Sequence, residues 1–340
     1  MRARDLGLAC GTLPTGERNS IADVPGVTVG HATLMEGDVR TGVTVVLPHD
    51  GNLFHDKVVA AAAVLNGFGK SIGLVQVNEL GTLETPILLT NTFAVGTCAT
   101  ALIRRAVAID PEIGRQTSTV NPVVLECNDG YLNDIQAPAI TEAHADAAIE
   151  AASEEFAVGS VGAGTGMSCF GLKGGIGSAS RRLRLEGKTY HLGVLVLANF
   201  GRAGDLRLPD GRRIDPPSLP SIEAGSCIVV MGTDIPLDHR QLTRVARRAG
   251  VGLAWCGAFW GHGSGDIALA FTTANHVPHN ADRDLIEQRV LAESRIDRLF
   301  QAAAAGTQEA VLDALAAAES MVGRNGHRRY ALTHMLRVAP

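Results

Sequence analysis

The chain has 340 residues, of which 46% are hydrophobic, and a formal net charge of -5, which fits one large or two ordinary domains with a real core. The mildly acidic balance argues against a nucleic-acid-binding protein, and we interpret the scattered arginine pairs (181–182, 247–248 and 328–329) as solvated surface. Six cysteines without a C-x-x-C spacing and the lack of a continuous apolar run of about 18 residues favour a cytoplasmic protein with reduced thiols, no zinc motif and no membrane span.

Hydrophobic periodicity predicts a mixture of strands and helices along the chain. Strands are predicted within 21–31, 41–47, 73–77, 86–90, 120–126, 192–198, 227–231 and 267–272. Helices are predicted at 57–66, which is rich in alanine, and at 96–108, 141–152, 238–249 and 281–318. Because the two types do not alternate strictly, the sequence predicts a layered α/β protein with two central sheets rather than a doubly wound one.

A glycine–serine pair marks the junction between a Pro-rich loop and a buried strand. The loop covers 205–220, the apolar strand follows at 227–231, and Gly225 and Ser226 lie between them. Glycine permits backbone conformations that other residues avoid. The arrangement suits a peptide bond cleaved by its own downstream serine, which would leave Ser226 as an N-terminal residue carrying nucleophile and base. An ordinary loop-to-strand junction explains the same two residues, because glycine and serine are common there.

Several familiar signatures are incomplete in this chain. A phosphate loop at 64–71 would need glycine at its first position, which is valine, and the glycines at 162–166 do not follow a predicted strand as a dinucleotide-binding turn would. Around Ser264, a G-x-S-x-G elbow would need glycines at 262 and 266, which are histidine and aspartate, and the sequence contains no H-E-x-x-H pair. His262 and Asp266 could share a metal but lack a third ligand at a useful spacing. We therefore predict no metal and no cofactor.

Polar side chains collect where the predicted strands begin or end: Glu126 with Asn128 and Asp129, then Asn199, Ser226, and Ser264 with Asp266. Catalytic groups often occupy such positions, because a rigid element aims them and a loop leaves them open. Together these residues supply a nucleophile, an orienting hydroxyl, carboxylates and an amide donor. That set is sufficient for acyl transfer without a histidine.

Eight blocks carry a family pattern, in order along nearly the whole chain: 23–31 (DVPGVTVGH), 66–70 (NGFGK), 84–92 (ETPILLTNT), 129–135 (DGYLNDI), 162–166 (GAGTG), 173–181 (KGGIGSASR), 193–199 (GVLVLAN) and 323–327 (GRNGH). With these blocks the chain resembles the DmpA-type aminopeptidases, which include L-aminopeptidase/D-esterases and β-peptidyl aminopeptidases. The resemblance implies an α-β-β-α four-layer sandwich, built as one self-processing domain over 1–340. It also implies cleavage between Gly225 and Ser226 into subunits 1–225 and 226–340 that stay together and form a homo-oligomer, a tetramer of cleaved pairs.

The resemblance assigns a role to each polar residue at the strand ends. It implies that Ser226 is the nucleophile, that Ser264 and Asp266 complete a triad-like set, and that Asn199 stabilises the oxyanion. Glu126 would bind the free amino group of a small peptide, amide or ester substrate. The implied activity is therefore that of a serine aminopeptidase that needs no metal or cofactor.

Two departures from the family pattern bear on substrate choice. Asn128 stands where one branch of the family has a tyrosine, with Tyr131 close by, and His262 stands where an asparagine is expected before the Gly263-Ser264 pair. Two other functions stay open. One is an acyltransferase resembling ornithine acetyltransferase, although those enzymes use threonine as the nucleophile. The other is an uncleaved homologue that binds without catalysis.

Overall fold

Two β-sheets form the centre of the molecule, in a computed structural model that describes residues 1–217 and 224–338. The first sheet has the strand order β1-β2-β5-β6, from Thr28–Glu36, Val39–Leu47, Ile87–Asn91 and Val123–Cys127. The second has the order β4-β3-β12-β11-β10-β9, from Thr82–Leu83, Asp56–Gly67, Gly263–Pro278, Ala224–Thr233, Lys188–Asn199 and Gly175–Leu185. Two hairpins complete the strands: β7 (Ser168–Cys169) with β8 (Leu172–Lys173), and β13 (Met321–Val322) with β14 (Arg328–Arg329).

Helices cover the outer face of each sheet. The seven in the described residues are α1 (Leu74–Leu80), α2 (Val95–Ile109), α3 (Glu142–Glu150), α4 (His239–Ala246), α5 (Ala249–Cys256), α6 (Asp297–Ala317) and α7 (Leu332–Val338). Helices α2 and α3 pack on the first sheet, and α4 and α6 pack on the second, with α5 against α6. This arrangement is the predicted α-β-β-α sandwich.

The pleat of the strands divides their side chains between two cores. Along β10, Val194 and Val196 join the core beneath the outer helices, whereas Leu195 and Leu197 join the core between the sheets. Successive side chains of a strand point to opposite faces, so a continuous apolar run is what a strand buried on both sides requires. The all-apolar run at 192–198 was therefore correctly predicted as a strand.

Two predictions exchanged helix and strand and are wrong. The alanine-rich stretch 57–66 is strand β3, in which Ala60 and Ala62 face the core between the sheets while Ala61 and Ala63 face the outer helices. A place inside a sheet with layers on both sides overrides the helix propensity of alanine. The stretch 73–77 begins helix α1, whose Val75 is 88% exposed while Val77 is buried. A short apolar run does not distinguish these alternatives by periodicity alone.

The predicted helix at 281–318 is correct only over Asp297–Ala317. Residues 281–290 are exposed and form no helix, so the apolar side chains of Leu285, Ile286 and Val290 are not packed against the sheet. The interpretation of the arginine pairs as solvated is wrong for one member of two of the pairs, Arg181 and Arg329, which are buried. Arg181 forms a 2.8 Å ion pair with Glu309 in which both side chains are fully buried.

One stretch, Thr92–Ile109, is long and apolar enough to cross a membrane by length and composition alone. Its helical part buries Cys98 and Leu102 in the core against the first sheet. On the other side, Arg104 of this helix donates hydrogen bonds to Glu142 at the start of α3. These contacts are those of an outer-layer helix of the sandwich.

Candidate active site

Three strands of the second sheet meet at the Gly225–Ser226 peptide bond. Strand β11 runs between antiparallel β10 and parallel β12, so that Ser226 is level with Asn199 on one side and with Gly265 on the other. Ser226 is only 5% exposed. The sheet thus brings together residues that are far apart in sequence. Residues 218–223, which include the end of the predicted loop 205–220, lie outside the described residues.

Gly225 is required by close packing. Its φ lies outside the left-handed region, so the predicted use of glycine's conformational freedom is not what the structure shows. Instead, a Cβ atom at this position would lie 2.0 Å from the carbonyl oxygen of Asn199. Any side chain here would push β10 and β11 apart, and with them the backbone on either side of the Gly225–Ser226 bond.

The Ser226 residue is held by two hydrogen bonds from different strands. The backbone N–H of Gly265 donates to Ser226 Oγ over 3.3 Å. The thiol of Cys127, on β6 of the other sheet, lies 3.3 Å from the Ser226 carbonyl oxygen, which it can donate to. A donor directed at the hydroxyl oxygen stabilises the negative charge that develops there as the proton leaves.

Ser264 and Asp266 form a buried pair on the neighbouring strand. The Ser264 hydroxyl donates to Asp266 Oδ2 over 2.7 Å, and the two residues are 0% and 1% exposed. In the register of the sheet, Ser264 is level with Gly225 and Asp266 is level with Cys227, so the pair flanks the level of Ser226. The Ser264 hydroxyl donates its proton to the carboxylate, so the Ser264 oxygen can still accept a hydrogen bond from another donor.

The Asn199 side chain is fixed at both ends. Its Oδ1 accepts the backbone N–H of Ser168, and its Nδ2 donates to the carbonyl oxygen of Asn128, each over 2.8 Å. These bonds determine which end of the amide is the nitrogen and leave it a second N–H, level with Ser226. The predicted oxyanion donor is therefore oriented before any substrate arrives.

Asn128 contributes to the site through its backbone. Its side-chain Oδ1 accepts the N–H of Gly130 over 2.8 Å, which closes a local turn, while its carbonyl holds Asn199. A contact between Asn128 and substrate stays a prediction.

Glu126 lies at the end of β6 and is 2% exposed. Its Oε1 accepts the backbone N–H of Lys70 over 2.8 Å, and Oε2 accepts the hydroxyl of Thr92. Among the described residues, no basic side chain lies within ion-pair distance of it. A buried carboxylate held only by hydrogen bonds is a natural partner for an ammonium group.

Gly69 lies near both Glu126 and Gly265. A Cβ atom on Gly69 would lie 3.7 Å from Glu126 Oε1 and 3.8 Å from the Cα atom of Gly265, whose N–H binds the Ser226 hydroxyl. Gly69 therefore lies close both to this carboxylate and to the glycine that binds the Ser226 hydroxyl.

Tyr131 is 37% exposed and packs between two side chains from the C-terminal part of the chain. Its ring stacks on that of His327 at a centroid distance of 4.6 Å, and the Arg329 guanidinium lies 3.5 Å from the Tyr131 ring centroid. Arg329 also donates from Nε to the hydroxyl of Ser168, the residue whose N–H holds Asn199. His262 lies near the same region, with its ring 6.0 Å from that of Phe68.

The sequence analysis named Asp129 as a polar residue at a strand end but did not predict its burial near a second buried ionisable group, Lys173. Burial raises the pKa of Asp129 to about 7, although hydrogen bonds from Thr41 and Asn133 oppose the shift. Burial likewise lowers the pKa of Lys173 to about 7, and its ammonium donates to the carbonyl oxygens of Gly164 and Gly174. Both residues fall inside the family-pattern blocks at 129–135 and 173–181, and no other feature of the sequence indicated this pair.

The glycines at 162–166 allow the backbone to pack closely against its neighbours. They do not form a dinucleotide-binding turn, as the lack of a predicted strand before them indicated. A Cβ atom on Gly164 would lie 2.5 Å from the backbone nitrogen of Ile176, and one on Gly166 would lie 2.1 Å from the carbonyl oxygen of Arg40. This turn therefore has no room for a nucleotide phosphate between its backbone and its neighbours.

Comparison with known proteins gives one consistent picture. The profile of Peptidase family S58 matches residues 19–329. The beta-peptidyl aminopeptidase BapA of Sphingosinicella microcystinivorans is 37% identical, with 98% of this chain and 90% of that protein covered. The PH0078 protein of Pyrococcus horikoshii OT3 is 47% identical with a TM-score of 0.92, over 99% of this chain and 98% of that one.

A further solved structure defines the fold. The L-aminopeptidase D-Ala-esterase/amidase of Ochrobactrum anthropi is 36% identical with a TM-score of 0.89, over 99% of this chain and 97% of that one. It is described as a prototype for the serine aminopeptidases and as a variant of the Ntn hydrolase fold.

Proposed function

The chain belongs to peptidase family S58, and from this premise we propose that Ser226 is the nucleophile of a self-cleaving serine aminopeptidase. The family and the fold make the protein a hydrolase of the aminopeptidase type. The observation that carries the assignment of Ser226 is its position on β11, level with the oriented amide of Asn199 and with the backbone N–H of Gly265.

The proposed first reaction cleaves the chain itself. The Ser226 hydroxyl oxygen attacks the carbonyl carbon of Gly225, the carbon–nitrogen bond breaks, and the hydroxyl proton passes to the departing amine of Ser226. The resulting ester is hydrolysed by water, which leaves a carboxylate on Gly225 and a free amine on Ser226. The strand register supports this step, because Asn199 is level with Ser226 on the neighbouring strand.

The second reaction repeats the chemistry on a substrate. The freed α-amine has a reference pKa of about 7.7–8.0, so it can accept the hydroxyl proton near neutral pH. We propose that Ser264 and Asp266 hold or relay that proton, and their mutual hydrogen bond supports this role. A preorganised amide such as Asn199 stabilises the oxyanion by about 3 kcal/mol.

We propose that Glu126 selects substrates with a free amino group. Its carboxylate is buried, receives two hydrogen bonds and lies near Gly69, which also approaches Gly265. An ammonium group at this position would bring the adjacent carbonyl to Ser226, which favours removal of N-terminal residues over internal cleavage. The substrate class is therefore a small peptide, amide or ester with a free amine.

We also propose that the cleaved pairs assemble into a homo-oligomer and that the protein is located in the cytoplasm. Large apolar side chains on the surface, such as Phe93 at 68% and Leu285 at 84% exposure, support assembly. All six cysteines are buried thiols, which fits a reducing compartment. Light scattering of the purified protein would measure the oligomeric mass.

Intact mass under denaturing conditions tests the central proposal. The wild-type chain is expected to give fragments of 225 and 340 − 225 = 115 residues, the smaller beginning with Ser226. Ser226→Ala is expected to give one full-length mass and no hydrolysis, with Ser221→Ala as a nearby control that is still cleaved. Processing that persists in Ser226→Ala would remove this residue from the assigned role.

A further inference from the structure

A cluster of histidine and aspartate side chains lies at the end of the second sheet that is far from Ser226. Strands β3 and β12 pair with Gly67 opposite Gly265 at the active-site end and with Asp56 opposite Pro278 at the other end. At about 3.4 Å per residue, the two ends of β3 are roughly 37 Å apart. At the far end, one potential ligand atom from each of His49, Asp56 and His276 lies within 4.8 Å of the others.

Backbone carbonyl groups orient both imidazole rings of this cluster. Nε2 of His49 lies 2.9 Å from the carbonyl oxygen of Asp56, and Nε2 of His276 lies 3.2 Å from that of Thr273. In proteins that bind metals, a ligating histidine usually donates its other ring N–H in this way. Nδ1 is then the nitrogen available to a ligand on each ring.

The Nδ1 atoms have exchangeable partners. His276 Nδ1 lies 2.7 Å from Asp56 Oδ2, and His49 Nδ1 accepts the backbone N–H of Gly51 over 3.0 Å. The side chains of His276 and Asp56 are 41% and 51% exposed, so water can complete a coordination shell. Lys57, the basic residue next to Asp56, instead forms an ion pair with Glu84 at 3.3 Å.

We propose that His49, Asp56 and His276 form a binding site for a first-row divalent cation of the Zn²⁺ type. Two imidazoles and one carboxylate are a donor set that suits such ions. Zinc–ligand distances of about 2.0–2.1 Å place tetrahedral ligand atoms about 3.4 Å apart. The most separated ligand atoms, which lie within 4.8 Å of one another, must therefore close by up to about 1.4 Å, and the His276–Asp56 pair at 2.7 Å must open by about 0.7 Å. The cation would bind the Nδ1 lone pair of each neutral ring, in place of the hydrogen bond now made at that atom.

The site would join two parts of the chain. His49 and Asp56 belong to residues 1–225 and His276 belongs to residues 226–340, so the cation would link the fragments that the proposed cleavage creates. Binding itself does not depend on that cleavage. The distance from Ser226 makes the ion structural, and hydrolysis is expected to be unchanged by EDTA.

Calorimetric titration of ZnCl₂ into the full-length, EDTA-treated protein tests this proposal. We expect one Zn²⁺ per chain for the wild type and for uncleaved Ser226→Ala, and affinity weakened by about tenfold or more in His276→Gln and Asp56→Asn. His55→Gln is the matched control, because His55 is 46% exposed, precedes Asp56 and pairs with Asp110 instead. Thermal unfolding without metal checks that each variant is folded.

Three results would overturn the assignment: no binding by the folded wild-type protein, wild-type affinity in His276→Gln, or an equal loss in His55→Gln. The Ser226→Ala titration separates this proposal from the proposed function, since it reports on the cation site in a chain that is not expected to be cut.

Discussion

Replacing Glu126 by glutamine removes one negative charge from the site while keeping its shape. The backbone N–H of Lys70 can still donate to the side-chain oxygen of glutamine, and Thr92 can rotate its hydroxyl to accept from the new amide. The strand end and the neighbouring Gly69 need not move. The variant therefore isolates the charge of the carboxylate.

The expected loss follows from the geometry of the carboxylate. Glu126 is 2% exposed, so an ammonium group bound there is largely shielded from water. A hydrogen bond to a charged group contributes about 1.5–3 kcal/mol, which corresponds to a factor of about 10–150 in kcat/KM. A substrate whose amine is acetylated cannot form this bond and should lose little.

The assay compares an amino acid p-nitroanilide with its N-acetylated form, in the wild type and in Glu126→Gln. Glu84→Gln is a matched control, because Glu84 is also buried but pairs with Lys57 rather than facing the serine. An equal loss on free and acetylated substrates would refute the assigned role of Glu126. So would a loss in the control as large as that in Glu126→Gln.

The remaining predictions concern the oxyanion donor and the buried charges. Asn199→Ala should lower kcat by about 10²–10³-fold with little change in KM. Steady-state kinetics on the cleaved fraction of the variant would measure this. Glu309→Gln should destabilise the protein by about 3–5 kcal/mol in denaturant unfolding, because it leaves Arg181 buried without its counter-ion. Burial raises the pKa of Asp129 from 3.8 to about 7, so the folded state favours its protonated form, and the stability this contributes is lost as pH rises through about 7. Asp129→Asn should accordingly reduce the fall in melting temperature as the pH rises from about 4 to about 7. An unchanged slope of melting temperature against pH would assign the titration to another group.

Local sequence was a good guide wherever the local pattern and the packing agreed. The β-branched run in β11 and the capped helix after Thr141 were predictable, because neighbouring residues alone determine them. Strand β3 was not predictable in this way. Its alanines are used for their small size between two layers, and that requirement comes from residues far away in the chain.

The site divides along the same line. Ser226, Asn199 and Glu126 could be named from the sequence because they occur at strand ends within a family pattern. The contacts that orient them could not. The Ser168 N–H that fixes Asn199 and the Cys127 thiol beside the Ser226 carbonyl come from segments 31 and 99 residues away. Arg329, next to an exposed arginine in an unremarkable pair, gave no sign of being buried against Tyr131.

The strand order of the second sheet has a consequence for the life of the mature protein. Strands β11 and β12, from the part after Ser226, lie in the middle, with β3 and β10 from the earlier part on either side. Neither part alone can complete that sheet, so the chain must fold before the proposed cut, while its ends are still tethered.

Once cut, the tether that gave the two parts a high effective concentration is gone. The cleaved enzyme would therefore not refold readily once heat or denaturant has separated its two parts. Reassembly would require a slow encounter of two incomplete chains. Its durability would then depend on how slowly the sheet opens, and far less on any folding equilibrium.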